Sequence, residues 1–333
     1  MKCEPVFRVH GELNSITDVP GIKVGNYTDL DVLSGVSVVL PENRCFAGVD
    51  VRGGAPGTRE TDLLNPVNHV DKVDAVMLIG GSAFGLSNAD GVMRYLEEEG
   101  RGYTVRGSVK VPIVPSGIIY DLYRGKKRGR IPFDSGYHAC KSQSVDIKQG
   151  NIGAGTGAIA GGLKGGLGTA SEILPNGVTV GAMAVVNSVG YVADPGCGGL
   201  YARFMELEGE FGDIPEFSLQ GNILSPLSTR LGENTVIGVI ATDTALGKTE
   251  LTKVAQMAQD GVARAVSPSH TMFDGDTIFA LSTGEKETKL SRESLVSLIG
   301  AVAADVFSRA IIHVVLNASS VNGIVSYRDR FTL

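Results

Sequence analysis

The run Val236-Ile-Gly-Val-Ile-Ala241 contains no polar residue. A short, wholly apolar run bounded by polar sequence reads as a strand buried in a core. The pattern recurs. Val36-Ser-Val-Val-Leu40 reads as a buried strand with Ala47 to Val51 as its expected partner. Ala75 to Ile79, Val178 to Val186 and Thr277 to Leu281 read as further strands. Helical periodicity falls between them. Ser82 to Glu99 follows Gly80-Gly81 as a strand–glycine turn–helix unit. Thr249 is placed to cap a helix carrying Leu251, Val254, Ala255, Ala258 and Val262 on one face. Ser291 opens a last helix with Leu295, Leu298, Ile299, Val302 and Val306 on its buried side. Between these halves, Glu208 to Glu233 is polar and broken by Gly and Pro, as in an exposed connection. Strands mixed with helices on both sides of such a connector predict a layered α+β fold, read here as one domain over residues 1–333.

The balance of charge narrows the function classes. With 36 acidic and 30 basic residues the net charge is −6, which suits neither nucleic acid nor another phosphate backbone as partner. The one basic run, Arg124-Gly-Lys-Lys-Arg-Gly-Arg130, is short and glycine-spaced and reads as a solvated loop. Cys3, Cys45, Cys140 and Cys197 form no Cys-x-x-Cys pair and no zinc spacing, which fits reduced thiols and a cytoplasmic location. No apolar signal core opens the chain and no uninterrupted apolar run approaches 18 residues, so no membrane span is expected.

Several motifs have ordinary readings. Gly155-Thr-Gly-Ala-Ile-Ala160 matches the dinucleotide pattern, but a polar stretch precedes it where a buried strand is required; structural turns fit better and no cofactor or metal is implied. Gly81-Ser-Ala-Phe84 is close to a nucleophile elbow, with Phe84 where the last glycine belongs. Ser82 also suits a helix cap. The small residues there would admit a ligand, which makes Ser82 and Phe84 candidates for a substrate pocket. His10, His69, His138, His270 and His313 show no triad context, and His313 reads as a packed core residue.

Two features carry chemistry. At Asn234-Thr235 a hydroxyl residue stands where the polar connector meets the apolar strand. Attack by that hydroxyl on the preceding amide would leave an ester that water can open. The freed Thr235 would hold a hydroxyl beside an α-amine of pKa roughly 7.7–8.0, near enough to neutrality to act as a base. From these two residues alone, a turn before a strand is the commoner reading. Asp274-Gly-Asp276 places two carboxylates two residues apart in an extended segment, on the same side. Such neighbours raise each other's pKa and suit proton relay; a turn is the plain alternative.

Taken together, the segments resemble the self-processing aminopeptidases of the DmpA type, which include β-aminopeptidases and nylon-oligomer hydrolases. The resemblance lies in Ile16 to Gly25, Val51 to Arg59, Leu78 to Leu86, Gly153 to Gly157, Lys164 to Thr169, Val186-Asn-Ser188 and Asn234 to Asp243, in that order. It implies a four-layer α/β/β/α sandwich like that of the ornithine acetyltransferases. It also implies self-cleavage into residues 1–234 and 235–333, which stay together in a homo-oligomer, a tetramer of cleaved heterodimers. Thr235 then matches the nucleophile and Asn187 the amide that holds the oxyanion. Lys164 and Tyr120 match groups lining the reacting centre, and Asp274 and Asp276 the pair that orients the nucleophile. Threonine followed by Asp-Gly-Asp is more similar to the nylon-oligomer branch than to the serine branch. The implied activity is hydrolysis of a small amide or short peptide. Acyl transfer to an amine on the same chemistry, or an uncut non-enzymatic relative, are the alternatives.

Overall fold

Two stacked sheets, each covered on its outer side by helices, make up the body of the chain. The computed structural model describes residues 8–214 and 234–331. Its strands are β1 (Ile22–Asp29), β2 (Ser34–Pro41), β3 (Cys45–Val51), β4 (Thr58–Arg59), β5 (Lys72–Val73), β6 (Val76–Ile79), β7 (Tyr103–Thr104), β8 (Lys110–Val111) and β9 (Ser116–Ile118). Then come β10 (Ile159–Ala160), β11 (Leu163–Lys164), β12 (Gly166–Ile173), β13 (Thr179–Asn187), β14 (Thr235–Thr244) and β15 (Thr277–Lys286). The helices are α1 (Ala89–Glu98), α2 (Ser135–Lys141), α3 (Lys248–Ala265), α4 (Arg292–Asn317) and α5 (Tyr327–Phe331). One sheet has the order β1-β2-β6-β9-β4 and the other β12-β13-β14-β15-β3-β5.

The apolar runs are explained by this stacking. Side chains alternate across a strand, and here both faces are covered. From β14, Ile237, Val239 and Ala241 join Val39, Val76 and Leu78 between the sheets, while Val236 and Ile240 face α3 and α4. From β6, Met77 and Ile79 turn the other way, onto α1 and α2. Three apolar layers between four structural layers give the α/β/β/α sandwich. Each buried aliphatic side chain contributes about 1.5–3 kcal/mol to holding it. β14 and β15 run parallel, which requires the crossover that α3 supplies. α4 is long and apolar enough to cross a membrane by composition, but most of it is buried here.

Four sequence expectations need correction. β2 pairs with β1 and β6, not with β3, which lies in the other sheet beside β15 and β5. Both were adjacent apolar runs, and the choice between them is made by distant strands. The helix expected over 82–99 divides into a tight 3-10 segment, Ser82–Asn88, and α1. α3 begins at Lys248 with Gly247 as its cap, whose N–H is held by Glu250, so Thr249 lies inside the helix. The connector is not wholly exposed. The Glu210 side chain and Phe211 are buried, with Glu210 bonded to Arg309 and His313 of α4. Residues 215–233 of that connector fall outside the described residues.

Candidate active site

Thr235 is the first residue of β14 and pairs directly with Asn187, the last residue of β13. Facing residues of an antiparallel pair put their side chains on one side, about 5 Å apart. The segment entering β15 closes the other flank. Asn234 bridges to Asp274, and the Gly275 N–H donates to the Asn234 carbonyl oxygen at 3.0 Å. The Thr235 hydroxyl donates to that same carbonyl oxygen. A side chain at position 275 would begin 2.9 Å from Thr235 Oγ1 and 2.8 Å from the Ala55 carbonyl, so glycine is what allows the approach. Thr235 is 3% exposed.

The two carboxylates divide their work. Asp276 Oδ1 accepts the Val236 N–H at 2.7 Å, on the residue next to Thr235. Its Oδ2 faces His270, with Nδ1 at 2.7 Å and the backbone N–H at 3.1 Å. Asp274 accepts from the Thr271 N–H at 2.9 Å, the Thr271 hydroxyl at 2.6 Å and the Val189 N–H at 3.4 Å. Burial and then the neighbouring Asp276 push the Asp274 carboxyl above its ordinary value. Both carboxylates are thus brought to Thr235 by one short segment.

Asn187 is fully buried. Its Oδ1 accepts from Arg124 Nη1 at 2.6 Å and from the Ile159 N–H at 3.0 Å, and its Nδ2 donates to the Tyr120 carbonyl at 3.3 Å. Tyr120 therefore meets Asn187 through its backbone. Lys164 is also fully buried, and its ammonium donates to the carbonyls of Gly155 at 3.1 Å, Ala158 at 3.0 Å and Gly165 at 2.8 Å. Burial pushes Lys164 down to about 7; Arg124 adds to the effect and Asp121 opposes it. The three carbonyls favour the charged form. Lys164 thus braces the turn that carries Ile159, one step removed from Asn187. Beneath them Asp121, whose Oδ1 accepts the Gly81 N–H at 2.6 Å, is pushed by burial up to about 6.

The weaker pocket candidates sit on the glycine turn above Asp121. The Ser82 N–H donates to the Ile119 carbonyl at 2.9 Å, and the exposed Phe84 ring lies 4.3 Å from the Arg130 guanidinium. The Gly155–Ala160 stretch enters the hairpin β10–β11 rather than a strand–turn–helix unit. It supplies the backbone groups that hold Lys164 and Asn187.

Two residues escaped the sequence reading. Arg124 belongs to the basic run whose sequence reads as a solvated loop, yet it turns inward, onto Gly157 and Asn187. The signal was the glycine after it: a side chain at 125 would begin 2.2 Å from the Val32 carbonyl, so the loop docks there closely. His270 had no triad spacing because its partner is a carboxylate six residues on, reached through a backbone turn with φ 55° at His270 itself.

The profile of Peptidase family S58 matches residues 14–328. An uncharacterized aminopeptidase of Mycobacterium tuberculosis is 49% identical, over 96% of this chain and 98% of the relative. A 6-aminohexanoate-oligomer endohydrolase of Kocuria sp. is 29% identical, over 89% of this chain and 84% of the relative. Among solved structures, the β-aminopeptidase of a Burkholderia sp. is similar with TM-score 0.71 and 22% identity, over 98% of this chain and 93% of that one. The L-aminopeptidase D-Ala-esterase/amidase of Ochrobactrum anthropi, described as a variant of the Ntn hydrolase fold, gives TM-score 0.68 and 20% identity over 94% and 89%. The four-layer sandwich is therefore the fold shared with these solved aminopeptidases.

Proposed function

The chain belongs to peptidase family S58 and is a hydrolase of amide bonds, and from that premise we propose that it activates itself by cutting its own chain between Asn234 and Thr235. Thr235 Oγ1 adds to the Asn234 carbonyl carbon, and the Gly275 N–H steadies the charge that develops on the carbonyl oxygen. The C–N bond then breaks, and the hydroxyl proton passes to the departing nitrogen. Water opens the resulting ester, leaving a carboxyl on Asn234 and both a hydroxyl and a free α-amine on Thr235.

In turnover the same hydroxyl attacks a substrate amide while the α-amine takes and returns its proton. Asn187, across the strand pair, donates to the substrate oxyanion. Asp276, on the Val236 N–H, and Asp274 beside it hold the strand start and the amine in place. The observation that carries this reading is the Asn234 carbonyl oxygen, met at once by the Thr235 hydroxyl and the Gly275 N–H. The substrate is a short peptide or another small linear amide. The names of the relatives support that class: aminopeptidase at 49% identity and amide-oligomer hydrolase at 29%.

Denaturing mass spectrometry of the purified chain, beside an assay with an amino-acid p-nitroanilide, tests the reading. Two fragments broken after Asn234, with turnover that rises as they accumulate, are expected. Turnover by a chain that stays whole would overturn it.

A further inference from the structure

Asn187 presents a carboxamide, and a carboxamide has two ends of opposite use. Nδ2–H can stabilise an oxyanion; Oδ1 would repel one. What fixes which end faces the reaction is therefore a functional question. Oδ1 is held by two donors, Arg124 Nη1 at 2.6 Å and the Ile159 N–H at 3.0 Å. Two N–H groups converging on one atom identify it as the oxygen and leave the nitrogen end to donate. Arg124 Nη1 is itself held by the Gly157 carbonyl at 2.7 Å. Its loop is tied down on two sides: Asn322 donates to the Arg124 carbonyl at 3.3 Å, and Gly125 packs on the backbone at Val32.

We propose that Arg124 is a positioning residue for amide hydrolysis, acting through Asn187 to lock its carboxamide with the nitrogen toward the oxyanion. The proposal rests on the reading above that Asn187 is the oxyanion donor. The bond from a full positive charge is also of the stronger kind. It draws electron density toward Oδ1 and so sharpens the donor character of Nδ2–H, as linked hydrogen bonds polarise one another. A neutral donor at position 124 would hold the amide but lose this second effect, and an apolar residue would lose both.

A double-mutant cycle on the full chain separates the possibilities. Arg124→Met, Asn187→Ala and the pair are compared by scission after Asn234 and, in processed material, by kcat and KM on an amino-acid p-nitroanilide. Arg124→Met is expected to lower kcat about 10- to 100-fold with KM little changed, in line with a weakened oxyanion donor. In the Asn187→Ala background the same change should cost less than about 3-fold. Arg124→Lys, which keeps a cation, should recover part of the loss, and it carries the test if Arg124→Met does not fold. Equal losses from Arg124→Met in both backgrounds, or a loss confined to KM, would overturn the proposal and leave the Asn187 reading intact. No effect of Asn187→Ala on turnover would remove the reading beneath it.

Discussion

His270 Nδ1 lies 2.7 Å from Asp276 Oδ2, and the backbone N–H of the same histidine meets the same oxygen at 3.1 Å. One residue thus grips one carboxylate oxygen twice, while the other oxygen holds the Val236 N–H at 2.7 Å. The strand start is oriented from His270 through Asp276. Asparagine tolerates the positive φ at this position, and its amide offers an N–H in place of Nδ1. His270→Asn should keep most of the scission and turnover. His270→Ala should lose about 10-fold or more in kcat, because the buried carboxylate loses a charge-assisted bond. Equal kinetics for the two variants would contradict this arrangement.

Thr235→Ala should remain one chain and lose turnover by more than about 1,000-fold, since no hydroxyl remains to attack. Thr235→Ser should still cut itself, at a different rate. The methyl that is lost constrains χ1, so serine reaches the attacking rotamer less often. Time-resolved mass spectrometry of freshly made protein reads both outcomes.

Asp121 gives a dependence of stability on pH with a definite sign. Burial raises its carboxyl from 3.8 to about 6. Between these values the folded chain keeps a proton that the unfolded chain has lost. This group therefore adds stability as pH falls through 6 toward 3.8, and its penalty is fully present above 6. Asp121→Asn keeps an oxygen for the Gly81 N–H. It should raise stability at pH 8 by at most about 3 kcal/mol and change little near pH 4. Thermal melts at the two pH values test it.

Glu210 works in the opposite sense. Burial would raise its carboxyl, but hydrogen bonds from His313 and Arg309 outweigh burial and hold it well below the usual carboxylate range. Its contribution is present above the ordinary glutamate value of 4.5 and fades as pH falls below it. Glu210→Gln should cost about 3–5 kcal/mol at pH 7, because Arg309 is left buried with its charge uncompensated. The difference from the parent chain should shrink below about pH 4. Denaturant titrations at pH 7 and pH 3.5 supply the comparison.

Local pattern disclosed the strands but not their neighbours. Val236 to Ala241 could be read as buried because its apolar residues fill both alternate sets, and β14 is covered on both faces. The pairing of β2 could not, because register and partner are fixed by residues distant in sequence. The site divides in the same way. Thr235 and the Asp274/Asp276 pair carry residue types able to do chemistry, though each also allowed a plain turn, and Asn187 entered only through the family resemblance; Thr235 opens β14, Asn187 ends β13 and Asp276 directly precedes β15. Arg124 and His270 gain their meaning from what they touch. Asn187 is 63 residues from Arg124, and no spacing rule joins them. The resemblance assigns Lys164 to the lining of the centre, and in the structure its bonds run to loop carbonyls.

β14 lies inside the six-stranded sheet, with β13 on one side and β15 on the other. A break just before it would leave neighbouring strands of one sheet on two separate polypeptides. Unfolding would then change its molecularity. An uncut chain, considered by itself, would unfold as a single molecule, with a midpoint independent of concentration. The cut protein would come apart into two, with a midpoint that falls on dilution. Refolding would likewise become an encounter between two partners. The peptide bond before Thr235 would then serve once, as the tether under which the sheet is first assembled.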